Sequence, residues 1–120
     1  MEHRRLDEMT GGWFVGQFSP TALETSDFEV AVKTYAAGDH EQAHYHRVAT
    51  EITLIQSGVA RMMGREWTAG DIIVLSPGEA TSFQAISDVV NVVVKVPSVA
   101  GDKYLVDDEV AHNADLAADV

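Results

Sequence analysis

Gly38-x5-His44-x-His46-x4-Glu51-x6-Gly58 is the stretch of this 120-residue chain that most narrows what it can fold into. Two imidazoles and a carboxylate stand between two glycines, and their spacing selects the backbone that can bring them together. Successive side chains of a strand alternate between faces, so His44 and His46 share one; on a helix, two residues apart, they diverge by about 200°. The pair therefore predicts a strand. Glu51 follows His46 by an odd offset that puts it on the wrong face of any continuous strand. Arg47 to Thr50 is accordingly expected to turn the chain, with Glu51 arriving from the neighbouring strand. Two neutral imidazole nitrogens and one carboxylate oxygen meeting between strands form a donor set for a divalent transition metal.

With these residues the chain resembles the cupin superfamily. Its first motif, G-x5-H-x-H-x3-4-E-x6-G, is filled at every defining position by Gly38, His44, His46, Glu51 and Gly58. A second cupin motif is similar to the run containing Gly70, Asp71, Pro77 and Gly78, but its metal-binding histidine position falls on Thr81. The resemblance, to the small single-domain type, implies an all-β double-stranded β-helix, or jelly-roll barrel, over residues 12–106. Residues 1–11 are then a flexible N-terminal segment and 107–120 an acidic C-terminal tail. It also implies a homodimer in which an N-terminal strand pairs with the partner's sheet, a role that suits the aromatic and apolar Trp13, Phe14, Val15 and Phe18.

Patterning along the chain agrees with an all-β reading. Phe28 to Thr34 alternates, with Phe28, Val30, Val32 and Thr34 on one face and Glu29 and Lys33 on the other. Val90, Val92, Val94 and Val96 stand likewise opposite Asn91 and Lys95. Further strands are expected over 12–18, 42–47, 51–56, 71–75 and 81–86, with a hairpin from 59–63 and 66–68 around Gly64-Arg65. Ser76-Pro77-Gly78 is a turn signal through the fixed φ of proline and the free φ of glycine. The first ten residues are charged and aperiodic, with one helical turn at most.

Composition removes several classes of function. One domain fits the length. Cysteine is absent, which excludes disulfides, thiolate nucleophiles and zinc ribbons and agrees with a reducing compartment. A formal net charge of -11 argues against nucleic acid, whose binding depends on Lys and Arg. No run approaches eighteen apolar residues, and the charged start lacks the apolar centre of a signal peptide, so a soluble cytoplasmic protein without a membrane partner is expected. Residues 102–120 carry Asp102, Asp107, Asp108, Glu109, Asp115 and Asp119 against Lys103, and read as a solvated extension.

Within this frame His44, His46 and Glu51 are the candidate metal ligands. Thr81 in place of a fourth donor leaves a coordination position to water or substrate. Two histidines and a carboxylate with open positions are the set associated with mononuclear non-haem Fe, and Mn, Ni, Co or Zn also suit it. His40, Thr53, Ile55, Met62, Thr81 and Phe83 are candidates for a small-molecule pocket, and Met62, Met63 and Trp67 for one apolar wall. His3 and His112 lie in the charged ends and read as solvated. Three functions follow: a metal-dependent enzyme of dioxygenase, isomerase or lyase type; a metal-free isomerase or epimerase of sugars or sugar nucleotides, as in some cupins, with a histidine moving the proton; and a non-catalytic ligand-binding barrel. A pyrophosphate-bearing substrate would need Arg47, Arg61 or Arg65 at the mouth.

Overall fold

Two sheets, antiparallel but for one short parallel pair at an edge, make up the computed structural model, which describes residues 1–106. The acidic tail expected over 107–120 lies outside the described residues. After a 3-10 turn at Leu6–Glu8, the strands in chain order are β1 (Trp13–Gly16), β2 (Leu23–Glu24), β3 (Glu29–Tyr35), β4 (His40–Tyr45), β5 (Thr50–Ser57), β6 (Ala60–Met62), β7 (Arg65–Trp67), β8 (Ile72–Leu75), β9 (Thr81–Ala85), β10 (Val89–Val96) and β11 (Tyr104–Leu105). The larger sheet runs β2-β1-β3-β10-β5-β8 and the smaller β11-β4-β9-β6-β7. This is the jelly roll that the sequence predicts.

The hydrophobic core is formed by Ile55, Ala60, Met62, Ile73, Leu75, Phe83, Ala85 and Val89, with Tyr35, Met63 and Trp67 packed against them. The β6–β7 hairpin turns at Met63-Gly64, one residue earlier than the spacing suggests. Both residues have positive φ, 52° and 74°, the backbone of a two-residue turn matched to strand twist. Trp67 donates its indole N–H to the Met62 carbonyl at 2.9 Å, closing the hairpin.

The faces of the larger sheet are the reverse of the simplest amphipathic expectation. Across β3, β10, β5 and β8 one register row is Glu29, Lys95, Glu51 and Leu75, and the next Ala31, Val93, Thr53 and Ile73. These rows point inward: Ala31, Val93, Thr53, Ile73 and Leu75 are buried. The valines of β3 and β10 instead join two outward rows, Val30-Val94-Ile52-Val74 and Val32-Val92-Leu54-Ile72. Ile72 and Val74 are 62% and 58% exposed. Alternation identifies the strands but not which face looks inward, and here the inward rows include the polar Glu29, Lys95, Glu51 and Thr53.

β1 lies between β2 and β3 of its own chain, with Trp13 opposite Ala31 and Val15 opposite Val30. Both of its edges are therefore paired within the subunit. Trp13 faces the interior cavities and meets Phe18 edge-on at 6.5 Å.

Candidate metal centre

His44 sits on β4 and His46 immediately after it, with the ring centroids 5.6 Å apart and the planes at 79°. Residues 46–49 turn the chain, and Glu51 enters at the start of β5. β5 belongs to the opposite sheet, so the carboxylate comes from across the barrel and not from a hydrogen-bonded neighbour of β4. One potential ligand atom from each of His44, His46 and Glu51 lies within 4.8 Å of the others.

Hydrogen bonding fixes which ring nitrogens face the centre. A carbonyl oxygen can only accept, so the contacts from His44 Nδ1 to the Gln42 carbonyl (2.9 Å) and from His46 Nδ1 to the Asp102 carbonyl (2.6 Å) require Nδ1–H on both rings. Neutral rings in that tautomer leave their Nε2 lone pairs free, and such an Nδ1–H bond to a carbonyl is the usual support of a metal-bound histidine. His46 Nε2 is buried, has no hydrogen-bond partner among the described residues, and lies 3.5 Å from Glu51 Oε1. A lone pair facing a carboxylate oxygen in a buried site is unsatisfied unless a cation or proton stands between them, so these residues fit a metal ion.

Protonation equilibria agree with that donor set. Burial lowers the pKa of His44, favouring the neutral ring. Burial pushes the Glu51 carboxyl up, but the adjacent His46 ring and the charge of Lys95 outweigh it and hold the group below its ordinary range.

Asp102, expected in the solvated tail, is 7% exposed and holds the turn between the ligands. Its carboxylate accepts the backbone N–H groups of Arg47 (2.9 Å), Val48 (3.2 Å) and Ala49 (2.9 Å), while its own carbonyl takes the His46 ring. Burial raises its pKa, and the three N–H donors reverse the shift to leave it lowered. No local pattern around Asp102 signals this, since its partners lie more than fifty positions earlier.

Of the other candidates, Thr53, Met62, Thr81 and Phe83 line an interior cavity of about 120 Å³ beside His44 and Glu51. Thr81 stands opposite His44 in the β4–β9 register, with its hydroxyl already engaged: it accepts the Met63 N–H at 3.2 Å and donates to the Ser82 carbonyl at 2.8 Å. Ile55 is fully buried in the core and does not line the cavity. His40 is exposed and borders a surface groove with Ser82 and Gln84. A register shift between Glu41 and His44 breaks the even-offset rule that would have aligned His40 with the ligands. It turns Glu41 inward instead, where Lys33 and the Tyr35 hydroxyl donate to it at 3.3 and 3.1 Å. Arg47, Arg61 and Arg65 line neither this cavity nor the adjoining one of about 370 Å³.

No protein-family model matches the chain, and no curated protein is similar to it. Solved structures are. An uncharacterized conserved protein with a double-stranded β-helix domain from Klebsiella pneumoniae aligns over 72% of this chain and 76% of its own, with 26% identity and a TM-score of 0.65. KdgF from Halomonas sp. aligns over 63% and 74%, with 18% identity and a TM-score of 0.59. A sugar phosphate isomerase from a cupin superfamily, from Silicibacter pomeroyi, aligns over 68% and 58%, with 18% identity and a TM-score of 0.59.

Proposed function

We propose that this chain, which carries the double-stranded β-helix fold of the cupin superfamily, holds a divalent transition metal on His44, His46 and Glu51 and acts on a small organic molecule as an enzyme of dioxygenase, isomerase or lyase type. One observation carries the proposal: three donors converge within 4.8 Å, and His46 Nε2 among them is buried without a partner. A bound ion supplies polarisation of a substrate oxygen or activation of water or dioxygen. The chain's own residues do the rest. Asp102 and the Gln42 carbonyl hold both imidazoles in the ligating tautomer, and Trp13, Met62 and Phe83 give the cavity apolar surface.

Metal analysis of the purified protein tests this. Stoichiometric Fe, Mn, Ni, Co or Zn is expected in the parent and a loss of it in His44→Ala and His46→Ala; equal metal in all three proteins contradicts the assignment.

A second reading rests on the 3.5 Å approach of His46 to Glu51, which in a metal-free protein pairs an imidazolium with a carboxylate and suits acid–base isomerisation of a sugar. The absence of the three arginines from the cavities weighs against a nucleotide-linked sugar. Turnover that survives exhaustive chelation favours this reading. A protein with neither metal nor turnover that still binds a small molecule is the non-catalytic barrel.

We also propose that the chain is a cytoplasmic homodimer. Lack of cysteine supports the compartment. The outward rows of Ile52, Leu54, Ile72, Val74, Val92 and Val94 support pairing through the face of the larger sheet, since a contiguous apolar surface of this kind is unusual on a monomer. Sedimentation checks it: the parent should run as a dimer and Ile72→Lys with Val74→Lys as a monomer, whereas a monomeric parent of 13.0 kDa refutes it.

A further inference from the structure

The chain has three lysines, Lys33, Lys95 and Lys103, and all three line the cavity beside His44 and Glu51. In a protein of net charge -11 this concentration is the opposite of the surrounding field. An anion is repelled at long range by such a surface, and only a local cluster of cations makes a site for one.

The ammonium groups are not equally committed. Lys33 is paired with Glu41 at 3.3 Å. Lys95 projects inward in the register row between Glu29 and Glu51, yet no carboxylate among the described residues lies within 4.0 Å of it. Its contact is the Trp13 ring, 4.7 Å from ammonium to centroid. Burial lowers the Lys95 pKa first, Glu51 and Glu29 oppose this, and Lys33 and Lys103 add like charge. Lys103 is exposed and likewise has no carboxylate among the described residues within that range. A partly buried cation without an ion partner favours an anionic group beside it.

Two features define the rest of the ligand. Asn91 is 2% exposed and lines the same cavity, and its Oδ1 has no hydrogen-bond partner among the described residues. That oxygen asks for a hydroxyl donor. The adjoining cavity of about 370 Å³ shares Trp13, Lys95 and Lys103 and adds Phe18, Pro20 and Val99, an apolar wall. Its volume is in the range that holds a small organic molecule.

We infer that the substrate is a small hydroxy-carboxylate, its carboxylate held by Lys95 and Lys103, its hydroxyl donated to Asn91, and its apolar body against Trp13 and Phe18. This rests on the site proposed above and adds its substrate class. Carboxylate fits better than a phosphate ester, because Glu41 and Glu51 share the cavity and no arginine lines it.

Calorimetric titration with mandelate, phenylacetate, mandelamide, lactate and inorganic phosphate tests it, with metal content measured on each sample. Mandelate or lactate should bind the parent. Mandelamide, which lacks the charge, and phenylacetate, which lacks the hydroxyl, should bind more weakly, mandelamide by at least about tenfold. Lys95→Met and the exposed-site variant Lys103→Met should each weaken mandelate and leave mandelamide unchanged. Equal affinity for mandelate and mandelamide, parental affinity in both lysine variants, binding of phosphate alone, or binding of no carboxylate each overturns the inference. Charge-selective binding in a protein devoid of metal upholds the anion site and refutes the metal centre; metal-replete protein indifferent to ligand charge does the reverse.

Discussion

The Nδ1–H of His46 donates to the main-chain carbonyl of Asp102 at 2.6 Å, and the carboxylate of the same Asp102 caps the backbone of the turn that follows His46. One residue thus fixes both the tautomer of a candidate ligand and the loop that separates it from Glu51. Asp102→Ala should therefore leave three backbone N–H groups without partners, one of them on the buried Ala49, and cost about 2–3 kcal/mol in chemical denaturation. Parental stability in this variant contradicts the capping role.

Acid stability should depend on Glu41. Burial raises its pKa, but the charge of Lys33 and the bonds from Lys33 and Tyr35 outweigh burial and leave it lowered. A depressed folded pKa gives stability that is present above the unfolded value, about 4.3, and is lost as the pH falls through the folded one. Glu41→Gln should be less stable than the parent at neutral pH and lose less on acidification below about 4. Parallel stability–pH curves for the two proteins count against the triad.

Metal retention should follow the histidines. Since burial lowers the His44 pKa, that ring stays neutral to a lower pH than the ordinary value of about 6.5, and metal measured after equilibrium dialysis should persist through that pH before falling. Loss of metal already well above about 6.5 goes against imidazole ligation.

Thr81, at the position where the second cupin motif carries a histidine, should be structural. Thr81→Val removes the partner of the Met63 N–H and should cost about 1 kcal/mol while leaving metal stoichiometry unchanged. A fall in metal content without unfolding would falsify this division of roles.

The motif glycines make separable predictions. Gly58 has φ of +89°, and a side-chain carbon there would overlap the Asp88 carbonyl oxygen; Gly38, at +93°, has open space around it. Gly58→Ala should lower stability by more than about 1 kcal/mol, and by more than Gly38→Ala does, in thermal or denaturant unfolding. The reverse ranking contradicts the geometry.

Local spacing made the His44, His46 and Glu51 cluster and most strands legible. His44 on β4 and His46 just past its end are two apart, and the turn before Glu51 follows from an odd offset, so both can be deduced from alternation alone. What alternation does not carry is which face looks inward. Val30, Val32, Val92 and Val94 are as apolar as any core residue, yet they lie on the outward face while Glu29, Lys33, Asn91 and Lys95 line the cavities. Asp102 and the lysine cluster were hidden for a related reason. They are brought to the ligands by sheet pairing over long sequence separations, as when β10 places Lys95 between Glu29 and Glu51. The two-residue strands β2 and β11 are too short to show a period.

X-ray absorption at the metal edge of the cobalt-loaded protein tests the central claim most directly. The account predicts imidazole scattering from two histidines with an oxygen donor in the parent, and one imidazole fewer in His46→Ala. A spectrum with oxygen donors alone, unchanged in that variant, would place the ion elsewhere on this acidic chain and contradict the centre.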